Sequence, residues 1–457
     1  MAAGPGLLWR AREYVDRSAR QSPARLALGV FALVIGVVTA LLSAPWATVH
    51  GHRAPFVDAL FTATSATTVT GLVVVPTGEY WSGWGLVVIL VAIKIGGLGV
   101  MTLASLLGMA VSRRIGLTQR LLVSSETKVT RLGEVGSLVR TVIVTSTVLE
   151  VAIAVALFPR LLVHGEPVGT AAWHAVFYSV SSFNNAGFVP TPHGLDPFVS
   201  DWWMLLPIIV GVFIGSLGFP VILNVAHHLR EPRRWSLHSK LTVVTSIGLV
   251  VFGSVVVAAF EWTNPGTFQP LDGPGTVIAS LFAGVMPRSG GFTTVDVGQM
   301  HEGTWLLLDA LMFVGGGSAS TAGGIKVTTL AVMLLAIVAE GRGDRDVEAF
   351  GRRIPRETLQ VAIAVGFISA SIVLVASLLL LAMTGLTLDR ILFEVISAFA
   401  TAGLSTGITA DLPLAAKYVL VVLMFIGRTG TMTLAAALAL RNRRRVIRYP
   451  EERPIIG

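Results

Sequence analysis

Ile391-Leu-Phe-Glu-Val-Ile-Ser-Ala-Phe-Ala-Thr-Ala-Gly403 is an apolar stretch too short to cross a bilayer, ending in small residues and a glycine. Three other stretches read the same way: Phe56-Val-Asp-Ala-Leu-Phe-Thr-Ala-Thr-Ser-Ala-Thr-Thr-Val-Thr-Gly71, Trp173-His-Ala-Val-Phe-Tyr-Ser-Val-Ser-Ser-Phe-Asn-Asn-Ala-Gly187 and Val277-Ile-Ala-Ser-Leu-Phe-Ala-Gly-Val-Met-Pro-Arg-Ser-Gly-Gly291. Aligned on their glycines, they carry Phe61, Phe177, Leu281 and Phe393 ten positions upstream, and Ser65, Ser181, Val285 and Ser397 six positions upstream. The glycines lie 116, 104 and 112 residues apart, a repeat period of about 110 residues.

Around these stretches the chain is strongly apolar. Of its 457 residues 53% are hydrophobic and 13% charged, and its mean hydropathy is +0.75. Soluble domains carry about 25% charged residues, so a freely soluble enzyme is excluded. Blocks such as Leu26–Leu42, Trp84–Val111, Val142–Phe158, Trp202–Val225, Leu241–Phe260, Leu359–Met383 and Tyr418–Leu440 approach or exceed the roughly 20 residues that span a bilayer. With no cysteine in the chain, disulfides, thiolate metal sites and cysteine nucleophiles are excluded. The first apolar run is longer than a signal-peptide core and is read as a retained span.

The net charge is +8, and 26 of the 34 basic residues fall in five segments: the N-terminal 1–25, the connections 112–140, 228–240 and 341–357, and the tail from Arg441. The positive-inside rule places all five in the cytoplasm. Each intervening region must then leave and return. The expected fold is an all-α polytopic membrane protein of four membrane–pore–membrane repeats, eight spans plus four re-entrant pore helices, around a pseudo-fourfold pore with both termini cytoplasmic. The repeats are placed at 26–112, 138–228, 236–340 and 356–441, between the N-terminal segment 1–25 and a tail 442–457.

A helix of about ten residues covers about 15 Å, half the hydrocarbon core, so each short stretch must dip in and turn back. Its C-terminal end carries partial negative charge. The turn beyond it can present backbone carbonyls, the groups that replace a cation's hydration shell in a filter. Candidate filter residues are Thr70, Gly71, Ala186, Gly187, Gly290, Gly291, Ala402 and Gly403, coordinating a cation through backbone oxygens. A second candidate element interrupts repeat three: Gly315, Gly316, Gly317, Ser318, Ala319, Ser320, Thr321, Ala322, Gly323 and Gly324, followed by Ile325 and Lys326. So glycine-rich a segment cannot hold a helix and needs protein or water partners at membrane depth, which suits a movable gate. Lys326 is read as snorkelling, pairing with a carboxylate or repelling cations. Arg428, midway along an apolar span, should face the interior or the ion path. Lys94 is a further candidate pathway residue, Glu150 and Asp309 are expected to satisfy buried polar groups, and Arg288 is expected in an outer vestibule. His174 and Asp58 are expected to cap their short helices or hydrogen-bond at the surface. The glycine-rich segment lies in a span rather than in a strand–loop–helix, so it is no nucleotide loop, and no hydrolase or zinc motif is present.

These residues resemble the Trk/Ktr/HKT superfamily of potassium transporters, and the Ktr-type membrane subunit most of all, over Leu26 to Gly457. The resemblance implies K⁺ uptake across the cytoplasmic membrane, with Gly71, Gly187, Gly291 and Gly403 as filter glycines and 315–326 as the intramembrane gate. It further implies that Gly71, where the HKT branch uses serine with sodium preference, favours potassium. It places Arg428 in the pore below the filter and the Tyr449–Gly457 tail in a homodimer contact. It implies a cytoplasmic ring of nucleotide-binding RCK subunits as partner and Na⁺ as a possible activator, with no cofactor, no enzymatic activity and no nucleic-acid partner. The rival reading is an alternating-access cation symporter, which would show unwound helices in paired halves.

Overall fold

The computed structural model describes residues 23–112 and 134–440; the expectations for the N-terminal segment, for the basic residues between 113 and 133 and for the tail lie outside them. The described chain is mostly helical. In order, it forms α1 (Pro23–Leu42), α2 (Phe56–Thr68), α3 (Gly83–Ser112), α4 (Glu134–Val163), α5 (Val168–Phe183), α6 (Trp202–Leu217), α7 (Phe219–His227), α8 (Leu237–Glu261), α9 (Gly273–Val285), α10 (Glu302–Phe313), α11 (Val327–Arg342), a hairpin β1 (Val347–Ala349) and β2 (Arg352–Ile354), then α12 (Arg356–Met383), α13 (Leu388–Ala400) and α14 (Leu414–Leu440), with several single turns between them. Gly83–Thr102, Val139–Val163, Leu237–Glu261 and Arg356–Met383 are each long and apolar enough to cross a membrane, and the bent pair α6–α7 adds a fifth.

Short helices α2, α5, α9 and α13, 13 to 16 residues long, each follow a helix of 20 to 30 residues. Their packing closes a ring. Each lies against the long helix before it and also against a helix of the neighbouring unit: α2 against α14, α5 against α3, α9 against α6, and α13 against α10. Phe61, Phe177 and Phe393, equivalent in the aligned stretches, are fully buried, so the aromatic ten positions before three of the glycines anchors its short helix in the core.

Two features depart from the expected layout. The block Trp202–Val225 is not one straight span: it bends by 102° between α6 and α7. The break falls at Gly218, whose φ of +96° is left-handed, followed by Phe219 and Pro220, where the missing N–H and fixed φ of proline suit a new first turn. The connection 341–357 contains the only strands among the described residues. Phe350 and Gly351, with φ of +50° and +72°, form the two-residue turn between Ala349 and Arg352, the left-handed pair that matches the twist of a tight hairpin.

Helix starts follow ordinary capping. The Asp201 carboxylate accepts from the N–H groups of Trp203 and Met204 at the head of α6, Asp272 accepts from Gly275 at α9, and Ser236 accepts from Ser239 at α8. Burial pushes the Asp201 carboxyl up, but hydrogen bonds from Arg160, the Met204 N–H and His164 outweigh it and hold the group below its ordinary range. The expected caps at His174 and Asp58 are not formed. Pro167 and Pro55 occupy those N-cap positions without side-chain bonds, while His174 Nδ1 lies 2.8 Å from the Glu166 carboxylate, the surface hydrogen bond of the alternative reading.

Candidate functional site

The four short helices end on one backbone pattern. Two residues before each aligned glycine the chain is left-handed, at Val69 (φ 56°), Asn185 (59°), Ser289 (66°) and Thr401 (47°). Each glycine is again at positive φ: Gly71 at 95°, Gly187 at 70°, Gly291 at 71° and Gly403 at 87°. The residue between them is tied back to its own helix. Thr70 N–H donates to the Ser65 carbonyl (2.7 Å), Ala186 N–H to Ser181 (2.7 Å), Gly290 N–H to Met286 (2.8 Å) and Ala402 N–H to Ser397 (2.8 Å). The serine six positions upstream therefore has a definite task. Gly71 N–H and Gly403 N–H donate to the hydroxyls of Ser65 and Ser397, each at 3.1 Å, and the Ser181 hydroxyl donates to the Phe188 carbonyl at 2.8 Å. The Ser65 and Ser397 bonds occupy N–H groups of their turns, whereas the Ser181 bond occupies the carbonyl just beyond Gly187.

The four turns converge on one another. A Cβ on Gly71 would fall 2.6 Å from the Ala186 carbonyl oxygen and 3.3 Å from the Cα atoms of Gly187 and Gly403. One on Gly187 would fall 2.8 Å from the Gly291 Cα, and one on Gly291 3.0 Å from the Ala402 carbonyl oxygen. Only glycine satisfies both this approach and the dihedral. The long helices come equally close behind the turns: a Cβ on Gly96, Gly215 or Gly427 would collide with the carbonyl oxygen of Thr67, Phe183 or Phe399 respectively.

The glycine-rich segment lies buried against these turns. It doubles back, with Val314 bridged to Ile325 in parallel, and Ala319 is left-handed at φ 57°. Its partners come from several elements. Gly317 N–H donates to Ser216 O (2.7 Å) and Phe219 N–H to Ala319 O (3.1 Å), so the break between α6 and α7 receives the segment. The Thr321 hydroxyl donates to Gly215 O at 2.9 Å, and Gly323 N–H donates to the Ser289 hydroxyl at 3.0 Å. Arg428, 2% exposed, donates from Nη1 to the Thr321 carbonyl. Lys326 Nζ donates to the next carbonyl, Ala322, at 2.8 Å. Two cations thus hold successive carbonyls of one segment. The carboxylate-paired and snorkelling readings of Lys326 give way to this contact.

Lys94 pairs with Glu150 at 2.6 Å and donates to the Ser146 hydroxyl at 3.2 Å. Glu150 also accepts from Asn184 Nδ2 at 2.8 Å, so α3, α4 and the second turn are locked together. Glu150 does satisfy buried polar groups as expected, and Lys94 is a brace of that turn. Removing one partner of a buried pair strands the other charge and costs about 3–5 kcal/mol. Lys94 is a quarter exposed, so Glu150→Ala should sit near the lower end, read as a fall in the thermal midpoint of the purified protein in detergent, with Glu150→Gln falling less. A midpoint unchanged in both variants would contradict the brace.

Arg288 corrects a sequence expectation. It is 1% exposed rather than in a vestibule, and donates to Ser246 O (3.0 Å) and Ser246 Oγ (2.9 Å) of α8. Its long stem carries the charge back into the helix packing instead of outward. Asp309 is buried, but against the expectation its Oδ1 meets no hydrogen-bond partner among the described residues. Sequence reasoning missed Glu394, nine residues before Gly403. Fully buried on α13, it accepts from the hydroxyls of Ser405 and, at 3.0 Å, Thr409, fixing the chain just beyond the fourth turn. The Ser-x-x-x-Thr spacing after the glycine was the available signal.

A mostly helical, membrane-embedded chain whose four buried glycine turns converge has the build of a transport protein. The comparisons place it within that class. The family described as TrkH, cation transport protein, matches residues 30–444, and the chain belongs to it. It is 38% identical to the Ktr system potassium uptake protein B of Bacillus subtilis, over 95% of this chain and 96% of that protein, and 33% identical to the potassium/sodium uptake protein NtpJ of Enterococcus hirae, over 96% and 98%. Its fold matches the crystal structure of the potassium transporter TrkH from Vibrio parahaemolyticus with a TM-score of 0.70 at 21% identity, covering 89% of this chain and 84% of that one.

Proposed function

We propose that the chain is the translocating membrane subunit of a potassium-uptake system of the cytoplasmic membrane. Four membrane–pore–membrane repeats surround one path, and ions dehydrate at the carbonyls of Thr70, Gly71, Ala186, Gly187, Gly290, Gly291, Ala402 and Gly403. The observation that carries this reading is the shared left-handed geometry two residues before, and again at, four glycines that meet at one place. Alternation of handedness along a short extended segment turns successive carbonyls toward one side, which a dehydrated cation requires. The membrane potential supplies the drive, about 2.3 kcal/mol per charge per 100 mV.

In this reading the segment 315–326 is the gate, held shut by Arg428 and Lys326. Regulation comes from a cytoplasmic nucleotide-binding RCK ring acting on a homodimer, with Na⁺ as activator. The names of the Bacillus and Enterococcus relatives, potassium uptake and potassium/sodium uptake, support the ion class. The test is rubidium tracer uptake into proteoliposomes under an inside-negative potential. Uptake competed by K⁺ well below the Na⁺ concentration that competes equally is the expected result; equal competition by the two ions would overturn potassium selectivity.

One observation favours the symporter reading: two of the units carry broken helices, α6–α7 and α10–α11. Their breaks interlock, since Phe219 N–H donates to Ala319 O, and so form one plug rather than two separate half-sites. A strict coupling ratio between co-transported ions would favour the symporter; uncoupled K⁺ flux would remove it.

A further inference from the structure

The residue two positions before each glycine is left-handed in all four turns, yet its chemistry varies: Val69, Asn185, Ser289 and Thr401. The variation follows the glycine-rich segment. Val69 packs toward Gly96 of α3, whose Cβ would lie 3.1 Å from Val69 Cγ2. The three polar residues face residues 321–323. Thr401 Oγ1 is the nearest atom to a Cβ on Gly323. The Asn185 amide, in the orientation that satisfies its neighbours, donates to Phe183 O (3.2 Å), Val212 O (3.3 Å) and Thr321 Oγ1 (3.1 Å). Ser289 Oγ accepts the Gly323 N–H at 3.0 Å and donates to Ala400 O, the last residue of α13, at 3.2 Å.

We propose that Ser289 is the filter-side latch of the gate, a positioning residue whose hydroxyl joins the third turn, the fourth short helix and the mobile segment in one bond chain. The proposal rests on the reading of residues 315–326 as the gate and goes beyond it. A hydroxyl has a single proton. With Gly323 N–H donating to it, that proton is committed to Ala400, and both bonds hold only while the segment is seated. When the segment withdraws, Gly323 takes its donor with it, and the seated state loses the free energy of that bond. The turn keeps its own shape, because Gly290 N–H remains bonded to Met286 O at 2.8 Å. Ser289 therefore acts on the seated population and leaves ion discrimination untouched.

The experiment measures K⁺ uptake and the K⁺/Na⁺ uptake ratio of the full chain in proteoliposomes, for Ser289→Ala, Ser289→Gly and Ser289→Thr, each with and without deletion of Ser318–Gly323. Ser289→Gly removes the hydroxyl while relieving the left-handed dihedral, so it guards against a folding defect in Ser289→Ala. Loss of one such bond corresponds to a shift of about three- to tenfold. Ser289→Ala and Ser289→Gly are expected to raise K⁺ flux by that factor, Ser289→Thr to restore the unaltered rate, and the K⁺/Na⁺ ratio to stay constant. In the deletion background none of the three should change flux further. Unchanged flux in Ser289→Ala and Ser289→Gly, or an increase that persists in the deletion background, overturns the latch. If the unaltered chain takes up no K⁺ at all, the potassium reading itself fails instead.

Discussion

Gly71→Ser is expected to reduce K⁺ over Na⁺ preference about tenfold or more while leaving the protein folded. The glycine sits at φ 95°, and a side chain there would meet the Ala186 carbonyl oxygen at 2.6 Å. A non-glycine residue in this region costs about 1–3 kcal/mol of backbone strain, and the contact adds to it, so the turn must shift. The shift moves the first turn away from Gly187 and Gly403 and lets a hydroxyl replace a carbonyl dipole in its share of the coordination. A change of about 1.4 kcal/mol between the two ions is a factor of ten. Gly71→Ala separates the two causes: it imposes the strain without the hydroxyl, and should lower uptake of both ions more than it changes their ratio. An unaltered ratio in Gly71→Ser would remove the first turn from the ion path.

Deleting Ser318–Gly323 should raise K⁺ flux at least about tenfold with selectivity retained. The deletion removes the carbonyls of Thr321 and Ala322 that Arg428 and Lys326 hold, together with the contacts of Thr321 with Gly215 and of Gly323 with Ser289. Each ordinary hydrogen bond contributes about 0.5–1.5 kcal/mol and bonds to charged groups more, so losing two already shifts a closed–open equilibrium by about an order of magnitude. Arg428 then faces the space the segment occupied. If flux instead stays constant or falls, residues 315–326 are a fixed part of the wall.

Much of this arrangement was legible in the sequence because it repeats. Four glycines at a period of about 110, each with an aromatic or leucine ten residues before it, gave the short helices and the positions where they end. What escaped depends on contacts across the repeats. Val69 and Thr401 are β-branched, and such residues rarely adopt the left-handed region, so no local preference announces that position. Here neighbouring turns override propensity. Arg288 stands beside the third glycine and reads as a surface residue, but Ser246 on α8 offers it two acceptors. The bend at Gly218 hides inside an apolar block whose composition suits a single span, and the segment that fits the break arrives a hundred residues later. The serines six positions before the glycines were visible as a pattern, while their function, accepting the N–H groups of Gly71 and Gly403, needed the fold.

A dehydrated cation is expected to sit where the four turns meet. Anomalous diffraction from crystals of the protein grown with thallium, a K⁺ substitute, tests it most directly. Anomalous density is expected on the line enclosed by Gly71, Gly187, Gly291 and Gly403, lost when the crystals are exchanged into Na⁺. Density confined to another place, such as beside the Asp309 carboxylate, with none between the glycines, would contradict it.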